Sequence, residues 1–583
     1  MSHQIGVILD KIDTLQQSAE TLSAQYIEEI LQHAGIFYEQ LEPAQLTEDL
    51  AAYRLLILAR HTHLNSAQRA ALTQYVKSGG SLIGIGGTSG LGTLFGARTQ
   101  RKIREGAIQV LDTSHPITSN LHSSLHVFGG NLHHSSQGKE LAQFLGKSGK
   151  VLGAAIIERE VENGYTLLFG PDLLRSIVHI QQGIPITQDG KPAPDGSAPL
   201  DEGILKAEDG HVLNWEKDRS PIPPDTQPVF LEPISDELRE LIIKGVLHCL
   251  GHQSTPTPIL WYWPRRLKSI AMMSHDSDGN KQDLAWSLLR ATDALDIKTT
   301  WCILYPGGYT SEFYQTLKDR GYEIALHYDA LTNQEHTRWS QSDFDFQHAW
   351  LLKTAEVPTL RSNKNHYTRW EDRIEFFRWC EAKGIETEQS KGPSKQGTIG
   401  FPLGGSHPWY PIDDESTGER INVLEINMLT QDLVITCPNY YGRGLVDSVA
   451  RHYGIAHFLF HPAHIEKPGV NEALTDVVQY ARSQGMEWWT SEQIGTWERQ
   501  RRQIRLIHQQ RSENETVYRF TSPDSVTGAT LLLPLFTNRH KPSIRIDGTQ
   551  TDWEHINLYG FDFASVVVDF ASDTPVELGI EGF

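Results

Sequence analysis

Apolar residues in the first part of the chain recur in two alternating rhythms, and that alternation sets the expected fold. Short unbroken apolar runs at 5–9, 54–58 and 81–85 read as buried strands, while 19–34 and 66–78 carry apolar positions at helical spacing. Strands separated by helices predict a parallel sheet, because parallel neighbours need a crossover that a helix supplies. Gly79-Gly80 ends the second helix, and Gly86-Gly87-Thr88-Ser89-Gly90 follows the third strand as a turn. Residues 164–170 add a late strand and 235–250 a closing helix, bounding a first unit at 1–252. Between them, 181–226 is rich in Gly, Pro and Asp, long enough to be either a cover over a neighbouring site or a disordered insertion. His252-Gln253-Ser254-Thr255-Pro256-Thr257-Pro258 has the composition of a linker.

The same rhythm restarts after Ser269, with apolar runs at 270–273, 299–304, 323–326 and 456–460, so 265–503 is expected to form a second α/β unit, a (β/α) barrel. From 504 the pattern changes to short β-rich runs at 517–520, 529–533, 543–546 and 565–570, which predict a small β-sandwich over 504–583. Three units agree with a length of 583 residues, too long for one ordinary core. No apolar stretch is long enough to cross a bilayer and the opening residues lack a signal-type core, so a cytoplasmic protein without a membrane partner is expected. A net charge of −20 disfavours a nucleic-acid partner. Cys249, Cys302, Cys380 and Cys437 stand singly and read as buried thiols rather than a zinc knuckle or redox pair.

Three strands end in residues that carry chemistry. The first runs into Ser274-His275-Asp276-Ser277-Asp278-Gly279, where Asp276 and Asp278, two apart, point the same way and can share a pocket. Close carboxylates repel, so such a pair needs a cation, a shared proton or separate partners. The second strand ends at His327 and the third at His461-Pro462-Ala463-His464. In a parallel sheet all three ends lie on one rim, where α/β sites form.

These motifs resemble the polysaccharide deacetylases of the NodB-homology type, in the branch whose first motif reads His-Asp-x-Asp, over roughly residues 265–500. The resemblance implies Asp276 as catalytic base, Asp278 and His327 as metal ligands, His461 as catalytic acid, and Arg361, in Thr359-Leu360-Arg361-Ser362, as the arginine that orients the base. It also implies a second histidine four residues after His327, where this chain has Leu331. His366 is the preferred third ligand, followed by Asp329 and then His336. Tyr367, His407, Trp409 and His464 are candidates for substrate binding, the aromatic ones by stacking on a sugar face, and Glu425 for supporting a histidine. The implied cofactor is a divalent metal, zinc by ligand type with cobalt or nickel as alternatives, and the implied partner is a carbohydrate.

The first unit resembles a flavodoxin-like, class I glutamine-amidotransferase-like domain, or the related trimerisation domain of some sugar hydrolases, which implies a homo-oligomer through this segment. Active amidotransferases place a nucleophilic cysteine after the third strand, whereas this chain reads Gly84-Ile85-Gly86-Gly87 there and has no cysteine before Cys249. Amidase chemistry is therefore not expected, and Ser89 reads as turn chemistry.

Overall fold

The computed structural model describes residues 4–9, 18–199, 203–253, 256–332, 338–512, 515–536 and 542–581. In the first unit, strands Glu39–Leu41, Ile5–Ile8, Leu55–Leu58, Ser81–Ile85 and Gly164–Phe169 lie side by side in that order, all parallel. Ile5–Ile8, Leu55–Leu58 and Ser81–Ile85 are buried at every position, hence their unbroken apolar runs.

The parallel strands are only part of the sheet. Beyond Gly164–Phe169 it continues antiparallel through Val151–Val161, Lys139–Leu145, Glu105–Val110 and Leu125–Phe128, so the expected parallel sheet is corrected to a mixed one. These later strands leave many positions partly or fully exposed and hold polar residues there, which weakens their apolar signal. Ser89, at φ +51°, accepts a hydrogen bond from Thr62 N at 2.9 Å within its turn.

The closing helix Ile234–Gly251 is buried along nearly its whole length although it carries Asp236, Glu237, Arg239, Glu240 and Lys244. It lies between the first sheet and the second unit: Asp236 accepts from Ser406 N and Oγ at 2.6 and 2.7 Å, and Glu240 pairs with His452 at 2.8 Å.

Among the described residues the second unit holds eight parallel strands. Leu424–Glu425, Thr387–Glu388, Ser362–Asn365, Glu323–Tyr328, Thr300–Leu304, Ile270–Asp276 and Ile455–Leu459 follow one another, and Glu487–Trp489 also pairs with Ile270–Asp276. The chain leaving Leu424–Glu425 reaches Leu429, whose N–H donates to His457 O at 3.0 Å and links the two ends of that path. The curled parallel sheet thus presents its carboxyl ends on one rim.

Among the described residues the last unit consists of two antiparallel sheets, one of four strands and one of five, that share a core including Phe520, Leu531, Val566 and Leu578. Ile259–Leu260 pairs with Val526–Pro534, so the linker ends as an edge strand of this last unit. The segment after Gln182 packs against the second unit, with Ile186 N donating to Asp372 O at 3.0 Å and Trp370 N to Leu205 O at 3.1 Å. All four cysteines are buried and unpaired. Among the described residues no helix is long and apolar enough to cross a membrane.

Candidate metal centre

Strand Ile270–Asp276 is buried throughout, and its alternation sends Ser274 and Asp276 to one side and His275 to the other. His275 donates through Nδ1 to Phe460 O at 2.8 Å and packs edge-on against Trp301, so it stands apart from the neighbouring carboxylates. After Asp276 the strand gives way to a tight turn with Gly279 at φ +70°, and this turn brings Asp278 back over the strand end.

His327, fully buried on Glu323–Tyr328, has a fixed orientation. Its Nδ1 donates to the Lys364 carbonyl at 2.9 Å, so in the neutral ring Nε2 carries a lone pair. That lone pair faces Asp278 Oδ1 at 3.3 Å and Asp276 Oδ2 at 3.7 Å. His327 Nε2 and Asp278 Oδ1 are both buried without a hydrogen-bond partner. Two acceptors turned toward each other in a buried pocket repel unless a cation or a proton lies between them.

His366 completes the group. Its Nε2 is 3.5 Å from the same Asp278 Oδ1, and its Nδ1 is 3.3 Å from Asp329 Oδ1. Burial opposes its charge, yet Asp278 and Asp329 outweigh burial and raise it to about 9. Donor atoms of Asp278, His327 and His366 all lie within 4.8 Å of one another, a set able to hold a divalent ion, with Asp329 behind His366. Leu331 follows the strand in a turn and is exposed, and among the described residues the next helix is Gln341–Thr354. His336 lies outside the described residues.

His461 approaches from the other side, its Nε2 3.7 Å from Asp278 Oδ2. Asp432 holds it twice, accepting from His461 N at 2.8 Å and contacting Nδ1 at 2.5 Å, and His464 Nδ1 lies 3.0 Å from the same carboxylate. Burial opposes protonation of His461, but Asp432 prevails and raises it to about 9, leaving an imidazolium at neutral pH. Tyr367, about half exposed at φ +61°, lies with its ring 4.1 Å from that of His366, on the rim.

Three expected site residues lie elsewhere. Arg361 precedes strand Ser362–Asn365 at its amino end and pairs with Glu386 and Glu492, on the side away from Asp276. The cation facing Asp276 is Lys364, fully buried, with Nζ 3.7 Å from Oδ1. Lys364 Nζ also donates to Ser274 Oγ at 2.9 Å, and Ser274 in turn contacts His457 Nε2 at 2.9 Å. Sheet register explains the exchange: Lys364 pairs with His327 on the neighbouring strand and so faces the same side, whereas Arg361 is an odd number of residues before Lys364. Arg361→Ala is accordingly expected to change turnover by no more than about 2-fold, as at an ordinary surface position. Lys364→Met should lower it by about 10- to 100-fold, the scale of losing an orienting partner, and steady-state kinetics of the two variants check this.

His407 is buried against His33, with ring nitrogens 3.0 Å apart, and donates to His452 O at 2.6 Å. Trp409 is fully buried and donates to Asn427 Oδ1 at 3.2 Å. His407 belongs to the packing between the first two units and Trp409 to the core of the second, where its ring meets Phe377 edge-on, so neither forms a sugar platform. Glu425 is fully buried beside Glu388 and Lys391 and holds no site histidine. The sequence pattern does not reveal Asp432 or Lys364: Asp432 follows no strand motif, and Lys364 sits in a strand, Ser362–Asn365, whose residues are all polar.

No curated protein sequence matches the chain. Among solved structures, a protein of Mycobacterium smegmatis described as a polysaccharide deacetylase is 15% identical over 42% of this chain and 95% of its own, with a TM-score of 0.30. A ThuA-like protein of Bacteroides uniformis is 13% identical over 30% of this chain and 91% of its own, at a TM-score of 0.24. The β-galactosidase of Rahnella sp. R3 is 11% identical at a TM-score of 0.25, and the match spans 30% of each chain. Residues 8–142 are similar to the ThuA family, described as trehalose utilisation, a stretch that takes in most of the parallel strands and the start of the antiparallel part.

Proposed function

We propose that the second unit is a metal-dependent hydrolase that removes an N-acetyl or related amide group from a saccharide. The observation that carries this is the buried encounter of His327 Nε2 with Asp278 Oδ1, two acceptors that share no hydrogen. Asp278, His327 and His366 would hold the ion, and zinc suits a set of two imidazoles and a carboxylate. Such an ion supplies Lewis-acid polarisation of a carbonyl and makes water more acidic.

The remaining groups divide the proton transfers. Asp276 Oδ1 has no hydrogen-bond partner and takes the proton of the attacking water. Lys364, with Nζ 3.7 Å from Oδ1, holds that carboxylate in place. His461, charged at neutral pH, gives its proton to the amide nitrogen as the C–N bond breaks, because an amine leaves poorly as an anion. The saccharide substrate draws on the likeness of residues 8–142 to a trehalose-utilisation family. A non-sugar amide is the alternative, since the same groups would act on it.

His327→Ala is expected to lose the divalent ion and, with it, acetate release from N-acetylated oligosaccharides. Elemental analysis and an acetate assay on both proteins test this. A variant that keeps its full ion content would remove His327 from the ligand set, and a wild-type protein active only on cyclic amides would redirect the substrate.

A further inference from the structure

A second convergence of imidazoles on a carboxylate lies wholly within the first unit. His248 and His252 stand four residues apart at the carboxyl end of helix Ile234–Gly251, a spacing that places both on one face. Their Nε2 atoms are 3.2 Å apart, so the two nitrogens can share at most one hydrogen when both rings are neutral. Tyr165 fixes both rings, stacking on His252 at 4.1 Å between centroids and meeting His248 edge-on at 5.3 Å.

Glu158, on the antiparallel strand Val151–Val161, faces them, with Oε2 4.0 Å from His248 Nε2. Its carboxylate is oriented by Tyr165 OH at 2.6 Å and by His115 Nε2 at 3.1 Å. Ile117 N donates to His115 Nδ1 at 3.3 Å, which leaves the hydrogen of a neutral His115 on Nε2 and makes it a donor to Glu158 rather than a ligand. Lys139 lies 3.2 Å from Glu158 Oε1, is more than half exposed, and also pairs with Asp112 at 3.3 Å.

Two further features favour a cation. The carboxyl end of a helix carries negative partial charge, which draws positive charge to the last turn. Tetrahedral zinc, with bonds of about 2.0–2.1 Å, spaces its donors about 3.3 Å apart. The His248–His252 and His248–Glu158 separations of 3.2 and 4.0 Å bracket that spacing.

We propose that His248, His252 and Glu158 bind a second divalent ion, zinc by its ligand chemistry, which clamps the end of helix Ile234–Gly251 to the antiparallel part of the first sheet. His115 and Tyr165 hold the carboxylate, and water completes the coordination.

The test is metal counting on the full chain, stripped with chelator, reloaded with zinc and dialysed. Wild type, the His248→Ala/His252→Ala double variant and His327→Ala are compared. The double variant should hold one equivalent fewer than wild type, whatever His327→Ala does. Should the reading of the second unit fail, His327→Ala would match wild type while the double variant still loses an equivalent. Equal zinc content in the double variant and wild type would overturn the clamp.

Because the double variant could misfold, Glu158→Gln in the His327→Ala background gives a second readout. Zinc should raise the melting temperature of His327→Ala but not of the combined variant. The same zinc-induced rise in both would also overturn the proposal.

Discussion

Exchanging Asp276 for asparagine is expected to lower hydrolytic turnover by about 10²- to 10⁴-fold while the divalent ion stays bound. Asparagine keeps the shape of the side chain but cannot accept the proton of the attacking water. Asp278, His327 and His366 are untouched by the exchange, so metal content should match wild type. Lys364 loses the carboxylate 3.7 Å away but keeps its bond to Ser274, which limits the cost of leaving it buried. Turnover and elemental analysis on one preparation decide the matter. Full activity in the variant would remove Asp276 from proton transfer, and loss of the ion would instead make it a ligand.

The second large effect lies where the first two units meet. His452→Gln is expected to cost about 3–5 kcal/mol of stability at neutral pH, the range found when one partner of a buried ion pair is removed. His452 ends helix Tyr441–His452, is buried, and lies 2.8 Å from Glu240 and 3.9 Å from Glu232. Burial opposes its charge, but Glu240, Glu232 and Glu237 prevail and raise it to about 10 from an ordinary value of 6.5. A group raised on folding stabilises fully below its unfolded value and loses that contribution as pH climbs through the folded one. Wild type should therefore lose stability between pH 6.5 and about 10, and the variant should show a shallower decline over the same interval. Melting temperatures across that range test the assignment, and parallel curves for the two proteins would refute it.

This buried charge illustrates what stays hidden in a linear pattern. Asp236, Glu237, Glu240 and Lys244 look like the solvated face of a closing helix, yet the helix is covered on both sides. Its partners, His452 and Ser406, lie more than 150 residues further on. The same holds for the loop expected to supply an aromatic platform: His407 packs against His33 of the first unit, and Trp409 is buried in the core of the second.

Whatever recurs at a fixed period was legible from the amino-acid sequence alone. Unbroken apolar runs announced the inner parallel strands of the first unit and Ile270–Asp276, Thr300–Leu304, Glu323–Tyr328 and Ile455–Leu459 of the second, though not the polar Ser362–Asn365 and Thr387–Glu388. Residues at strand ends announced Asp276, Asp278, His327 and His461, because parallel strands bring their carboxyl ends to one rim. Tertiary structure alone decided that Asp432 holds His461 and that Lys364 rather than Arg361 faces Asp276. Periodicity records which side of its own element a residue occupies. It carries no record of which distant segment comes to cover that side, and the charges that hold His366, His461 and Asp276 all arrive from such segments.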